Sequence, residues 1–141
     1  MILISHRGNI TKINKQRENK KDYIDEALGK GFNVEIDIWF VDGNFFLGHD
    51  RPVDKISIEY LKNGKLWCHA KNFLALENML DNNIHCFFHN TDHYTLTSKN
   101  YIWAYPGIDG GKMTIAVKPE GKNLDLTKFS GICSDQIDKY K

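Results

Sequence analysis

Charge of one sign is what this sequence has least of: 19 Lys and Arg stand against 18 Asp and Glu, a formal charge of +1 over 141 residues. Without a global field, neither nucleic acid nor an anionic membrane is an expected partner, and any anion must be held locally. Long apolar runs are missing as well. The N-terminal MILI is four residues with no basic segment before it, and no stretch approaches the ~18 apolar residues of a membrane span. The expectation is a soluble, non-secreted, cytoplasmic chain with no stable membrane insertion. Cysteine is sparse and odd in number. Cys68, Cys86 and Cys133 each sit in or beside an apolar run (LWCHA, IHCFFH, GICSD), which argues against a disulfide framework and for reduced core thiols. Repeats, low-complexity segments and linkers are absent too, so residues 1–141 read as a single domain, and 41% apolar residues are enough for a core.

What is present centres on Phe32 to Asp50, FNVEIDIWFVDGNFFLGHD. At the period of two that a strand imposes, Val34, Ile36 and Ile38 share one face and Glu35 and Asp37 the other. Cα atoms two residues apart on a strand are about 6.7 Å apart, so these two carboxylates can lean toward one cation. Left alone they would repel, and one would titrate high. The same stretch also reads as a half-exposed hairpin with its acids in water. Asp42-Gly43 signals the turn, and Phe45, Phe46 and Leu47 the return strand. A three-residue loop Asp42-Gly43-Asn44 is expected, because it sets Asp37 opposite His49, whereas a two-residue loop sets Ile36 there.

Along the chain, short apolar runs each end in polar groups: Met1 to Ser5 at His6-Arg7-Gly8, Leu66 to His69 at Ala70-Lys71-Asn72, and Ile84 to Phe88 at His89. Tyr101 to Ala104, Met113 to Val117 (followed by Lys118-Pro119-Glu120) and Ile132-Cys133 (followed by Ser134-Asp135) continue the series. Helices are expected over Tyr23 to Leu28 with Asp22 as cap, over Ser57 to Lys62, and over Phe73 to Leu80. Parallel βα units produce such a pattern. The expected fold is therefore α/β, a reduced TIM-like (β/α) barrel with about seven short strands and a β-hairpin extension after the second strand. Stripped connections are required, since a full barrel takes about 250 residues. Loops after the strands of a barrel gather on one face, so His6, Glu35, Asp37, His69, Lys71, His89 and Glu120 can converge there.

Taken together, His6-Arg7-Gly8, Glu18-Asn19, Ala27 with Gly31, Glu35-Ile36-Asp37, Asp42-Gly43 and His49-Asp50 resemble the N-terminal signature of the glycerophosphodiester phosphodiesterase family. The likeness covers residues 3 to 50; Ala70-Lys71 and Gly131 to Asp135 are similar to its later strand ends. It implies that His6 and His49 act as acid and base, that Glu35 and Asp37 hold a divalent metal (magnesium or calcium), and that Arg7 and Lys71 contact phosphate. The substrate it implies is a small-molecule phosphodiester. Three departures stand out: His69 occupies the place of the family's third carboxylate ligand, Lys20 follows Glu18-Asn19 in place of threonine, and the chain is short.

The chemistry is coherent on its own terms. Cleaving an anionic diester takes a cation on the non-bridging oxygens, a base for the attacking hydroxyl and an acid for the leaving alkoxide. A set of Glu35, Asp37 and His69 suits manganese or zinc better than an all-oxygen set does, and Glu120 is a candidate to complete the metal shell or hold a metal-bound water, with His69 then on phosphate. His69 reads equally as a packing residue, and Trp103 and Tyr105 as core or as a pocket wall. Cys86-x-x-His89-x-x-x-His93 has zinc-like spacing without a fourth ligand. Two functions follow: a metal-dependent phosphodiesterase using His/His acid-base catalysis, or a catalytically degenerate phosphate-binding protein of the same fold.

Overall fold

The computed structural model describes every residue from Met1 to Lys141. Strand β1 (Ile2–His6) leads through a turn-rich loop into helix α1 (Lys21–Gly29) and the long strand β2 (Asn33–Val41), which turns back as β3 (Asn44–Leu47) and β4 (Asp54–Ile56). There follow α2 (Ile58–Leu61), β5 (Leu66–Ala70), α3 (Phe73–Asp81), β6 (Cys86–Phe87), β7 (Tyr94–Leu96), β8 (Ile102–Ala104), β9 (Thr114–Val117) and β10 (Gly131–Ser134). Single 3₁₀ turns precede and follow β10. No helix is long and apolar enough to cross a membrane.

All ten strands belong to one mixed sheet, which overturns the reduced TIM-like barrel of about seven strands. Its path runs β4-β3-β2-β1-β10-β9-β8-β7, with β5 branching from β2 and β6 from β5. The ladders β1/β2, β1/β10, β9/β10, β8/β9, β2/β5 and β5/β6 are parallel; β2/β3, β3/β4 and β7/β8 are antiparallel. Three short helices, none beyond nine residues, cannot make a helical ring. The reason lies in the second half, where the chain spends Tyr94–Leu96 on an antiparallel hairpin and crosses between β8, β9 and β10 without an α-helix. The expectation of short strands ending in polar groups survives; the architecture drawn from it does not.

Long β2 serves three neighbours, with β1 beside its first part, β5 along its middle and β3 beside its end. Its alternation is the expected one. Val34, Ile36 and Ile38 enter a large core under α1 and α3 that also takes Ile24, Ala27, Cys68, Ala75 and Met79. The opposite face carries a smaller cluster of Ile4, Trp67, Phe87, Trp103, Ile115, Val117 and Cys133, so Trp103 is core. All three cysteines are free and buried, as their apolar settings require. The expected cap at Asp22 is corrected: α1 begins at Lys21, Lys20 makes no side-chain cap, and Asp22 pairs with Arg17 at 2.9 Å.

The hairpin register is also corrected. Val41 pairs with Asn44 and Ile38 with Leu47, so the loop is the two-residue turn Asp42-Gly43. Both turn residues have positive φ, 49° and 78°, matching the right-handed twist of the strands. His49 therefore never pairs with Asp37. The ladder stops at Gly48, whose φ of 152° no side chain tolerates here, because a Cβ would meet the Arg51 carbonyl oxygen at 2.0 Å.

Candidate active site

Parallel register builds the site. His6 lies beside Glu35 in the β1/β2 ladder, and Asp37 beside His69 in the β2/β5 ladder, so the ends of three strands present their polar groups on the face opposite the large core. Ligand atoms of Glu35, Asp37 and His69 all lie within 4.8 Å of one another. Asp37 is fully buried and Glu35 nearly so. Around them, Arg7 Nε stands 3.0 Å from Asp37 Oδ2, and Lys71 Nζ 3.7 Å from Asp37 Oδ1. Asn19 fixes the same carboxylate, donating to Oδ2 at 2.9 Å while accepting from the Asp37 amide at 3.0 Å.

The two carboxylates are driven apart in acidity. Burial, then the charge of Asp37, pushes Glu35 well above the usual carboxylate range. Burial acts on Asp37 too, but the contact with His69 and the charges of Arg7 and Lys71 outweigh it and hold Asp37 low. His69 Nε2 donates to the His89 carbonyl at 2.8 Å, which sets the ring so that Nδ1 faces Asp37 Oδ1 at 3.3 Å and Glu35 Oε1 at 3.8 Å. Two buried oxygens of this group, Glu35 Oε2 and Asp37 Oδ1, have no hydrogen-bond partner. Unpartnered carboxylate oxygens and an imidazole nitrogen facing one another are a donor set that fits a divalent cation, with the nitrogen admitting manganese or zinc beside magnesium or calcium.

His6 is buried and gripped by the last strand. Its Nδ1 lies 2.6 Å from Asp135 Oδ1, and its Nε2 points toward Glu35 Oε2 at 3.8 Å. Burial lowers its pKa more than Asp135 raises it, so the ring is neutral at pH 7 with its proton on Nδ1. Asp135 is itself held down against burial by His6, by Asn9 (2.8 Å) and by Lys118 (3.2 Å). His49 is elsewhere. It is exposed, rests on Asp50 at 2.7 Å, and lines a cleft of about 660 Å³ whose wall also includes Arg7, Glu18 and Asn19.

Of the residues expected from sequence, His6, Arg7, Glu35, Asp37, His69 and Lys71 meet in one cluster. Glu120 stands apart from the three ligands, since its Oε1 accepts from Ser134 Oγ and from Tyr140 OH at 3.0 Å. A strand-end position after β9 did not bring it to the cation group, because β10 and the terminal turn claim its carboxylate. His89 contributes its carbonyl, and its ring faces the Asp92 carbonyl at 2.6 Å. Sequence reasoning missed Asp135, Asn9 and Lys118 as site residues, although Asp135 and Lys118 carry the signal used elsewhere, a polar group at a strand end. A second signal is conformational. Of six non-glycine residues with positive φ, three, Arg7, Asn19 and Lys118, touch Asp37 or Asp135, and strained backbone gathers where side-chain aim matters.

Comparison with protein-family models, with characterised proteins and with solved structures gave no match.

Proposed function

We propose that this protein is a metal-dependent phosphodiesterase, similar in chemistry to the glycerophosphodiester phosphodiesterases, acting on a glycerophosphodiester or a related sugar- or lipid-derived phosphodiester. The observation that carries the reading is the meeting of Glu35, Asp37 and His69 Nδ1 within 4.8 Å, with Arg7 and Lys71 alongside and His6 next to Glu35. A divalent ion held by Glu35, Asp37 and His69 supplies charge neutralisation of the phosphoryl oxygens. Arg7 and Lys71 add cationic contacts for the same anion. His6, neutral and with its Nε2 lone pair free, accepts the proton of the attacking hydroxyl, whether from water or from a neighbouring hydroxyl of the substrate. As the new O–P bond forms and the ester O–P bond breaks, His49, in the cleft beyond Arg7, returns a proton to the leaving alkoxide. Asp135 holds His6 in the tautomer this needs.

A second reading rests on Asp37, which Arg7 and Lys71 already flank: a phosphate-binding protein without turnover. One experiment separates the two. Turnover of bis(p-nitrophenyl) phosphate is measured with magnesium, calcium, manganese, zinc or EDTA. Cation-dependent release of nitrophenol, lost in Glu35→Gln, is the expected result; phosphate binding with no turnover under any cation selects the second reading.

A further inference from the structure

The cleft beside the cluster is lined mainly by polar and charged residues. Of its 13 lining residues only Leu47 and Val53 are hydrophobic, and Leu47 is buried to 1% exposure. Val53 is the one exposed hydrophobic side chain an acyl chain would meet there, too little for the cleft to be built around a lipid tail. The cations of the cleft fall into two groups. Arg7 faces Asp37 and Glu18, and Lys20 is paired with Asp54 at 2.6 Å, whereas Lys15 and Arg51 have no carboxylate partner.

Both free cations sit on loops held in place. The Gly48 to Val53 loop is closed by Val53 N on Leu47 O (2.9 Å) and by Gly48 N on Asp37 O (3.2 Å). Trp39 Nε1 donates to Gly48 O at 2.7 Å, and the Arg51 carbonyl packs where a Gly48 Cβ would be. The Lys15 loop is anchored by Asn14 N donating to Asn9 Oδ1 at 3.0 Å, and by Arg17 N donating to Asn14 O at 3.0 Å. Anchored loops lose little freedom on binding, which favours a specific contact over a diffuse surface charge.

We propose that Lys15 and Arg51 form a second anion subsite, and that the substrate is a deacylated, water-soluble phosphodiester whose polyol carries a second phosphate. This rests on the phosphodiesterase reading for the scissile group, with Arg7 between the buried cluster and the cleft. The scissile phosphate sits at the cluster, the polyol spans the polar cleft, and the second phosphate meets Lys15 and Arg51.

The test compares glycerophosphoinositol with glycerophosphoinositol 4-phosphate, which differ only in the second phosphate, using wild type and a Lys15→Ala/Arg51→Ala variant. Both side chains are exposed, so the variant's fold is checked simply by circular dichroism. Wild type should show kcat/KM about tenfold higher for the 4-phosphate, and the variant a ratio near one. Calorimetric binding of inositol 1,4-bisphosphate against inositol 1-phosphate should show the same ratio and its loss in the variant. Vesicles of phosphatidylcholine containing phosphatidylinositol 4-phosphate form the third arm and should not be turned over. Equal binding of the two inositol phosphates, a preference retained in the variant, or turnover of the vesicle lipid matching the soluble diester each overturns the proposal. A binding preference lost in the variant, with no turnover of either soluble diester, supports the subsite and overturns the phosphodiesterase reading instead.

Discussion

His6 Nδ1 lies 2.6 Å from Asp135 Oδ1, joining the first strand to the last across 129 positions of the chain. The contact exists because β1 and β10 are parallel neighbours, with Ser5 beside Ser134 in the ladder, so the residue after each pair emerges at the same sheet end. A buried imidazole so held has one tautomer and one orientation.

The first prediction follows from that contact. Asp135→Asn should leave the sheet folded and lower kcat about 10²-fold or more, with little change in KM, because His6 loses the partner that keeps its Nε2 free. The ¹⁵N shifts of His6 should move from a single Nδ1-protonated form to a mixture of tautomers. Unchanged tautomer and unchanged kcat would remove Asp135 from the mechanism.

Glu35 and Asp37 set a trade between stability and binding. Glu35 is buried with Oε2 unpartnered and a second carboxylate near it, so Glu35→Gln should leave the cation-free protein as stable as wild type or more so. The same change should abolish stabilisation by added cation, which for wild type is about 2.7 kcal/mol at a hundredfold excess over the dissociation constant. Thermal melts with and without manganese read both halves, and equal cation-induced shifts in the two proteins would place any metal elsewhere.

Much of this site is legible in the sequence because it is local to strand ends. The alternation of β2 puts Glu35 and Asp37 on one face, and His6-Arg7-Gly8 and Ala70-Lys71 end apolar runs, so their arrival at one place needs only parallel neighbours. What fails is what depends on pairing. Tyr94–Leu96 is a strand because β8 lies against it, and although Tyr and Thr favour strands, three residues are too short a run to mark one. The hairpin register turns on a single residue, and Asp42 taking a positive φ beside Gly43 decides it in favour of the shorter loop. Asp135 follows β10 directly and Glu120 stands three residues past β9, and one reaches His6 while the other is taken by Ser134 and Tyr140, a difference set by position past the strand and by partners distant in sequence.

Gly48 should be the most intolerant glycine of the site. Its φ of 152° disfavours any side chain, and a Cβ would sit 2.0 Å from the Arg51 carbonyl. Gly48→Ala should therefore displace the His49 to Arg51 loop and cost about 2 to 4 kcal/mol in urea denaturation. Gly43→Asn, at a turn position with nothing within 4 Å and a φ of 78°, should cost far less. Equal costs at the two positions would mean the loop gives way freely.

The last prediction concerns a histidine outside the site. His85 is buried against Trp67, with ring centroids 4.3 Å apart, and its Nε2 lies 3.0 Å from Thr97 Oγ1. Burial, and then the charge of Lys99, lowers its pKa to about 4. An unfolded histidine titrates near 6.5, so between these values the unfolded chain binds the extra proton and stability rises with pH. The stabilisation is complete above about pH 6.5 and is lost as pH falls toward 4, by about 2 kcal/mol once partial solvent screening is allowed for. His6 shifts in the same direction and adds to the slope; Glu35, raised to about 8, keeps its proton in the folded state across this window and opposes it, and the depressed Asp37 and Asp135 act at lower pH. The slope of stability against pH between 4.5 and 6.5 should thus be more positive in wild type than in His85→Gln, which keeps a polar partner for Thr97 but does not titrate, while the Glu35 contribution is common to both. Parallel urea-denaturation profiles for the two proteins across that window would show that His85 is not buried in its neutral form.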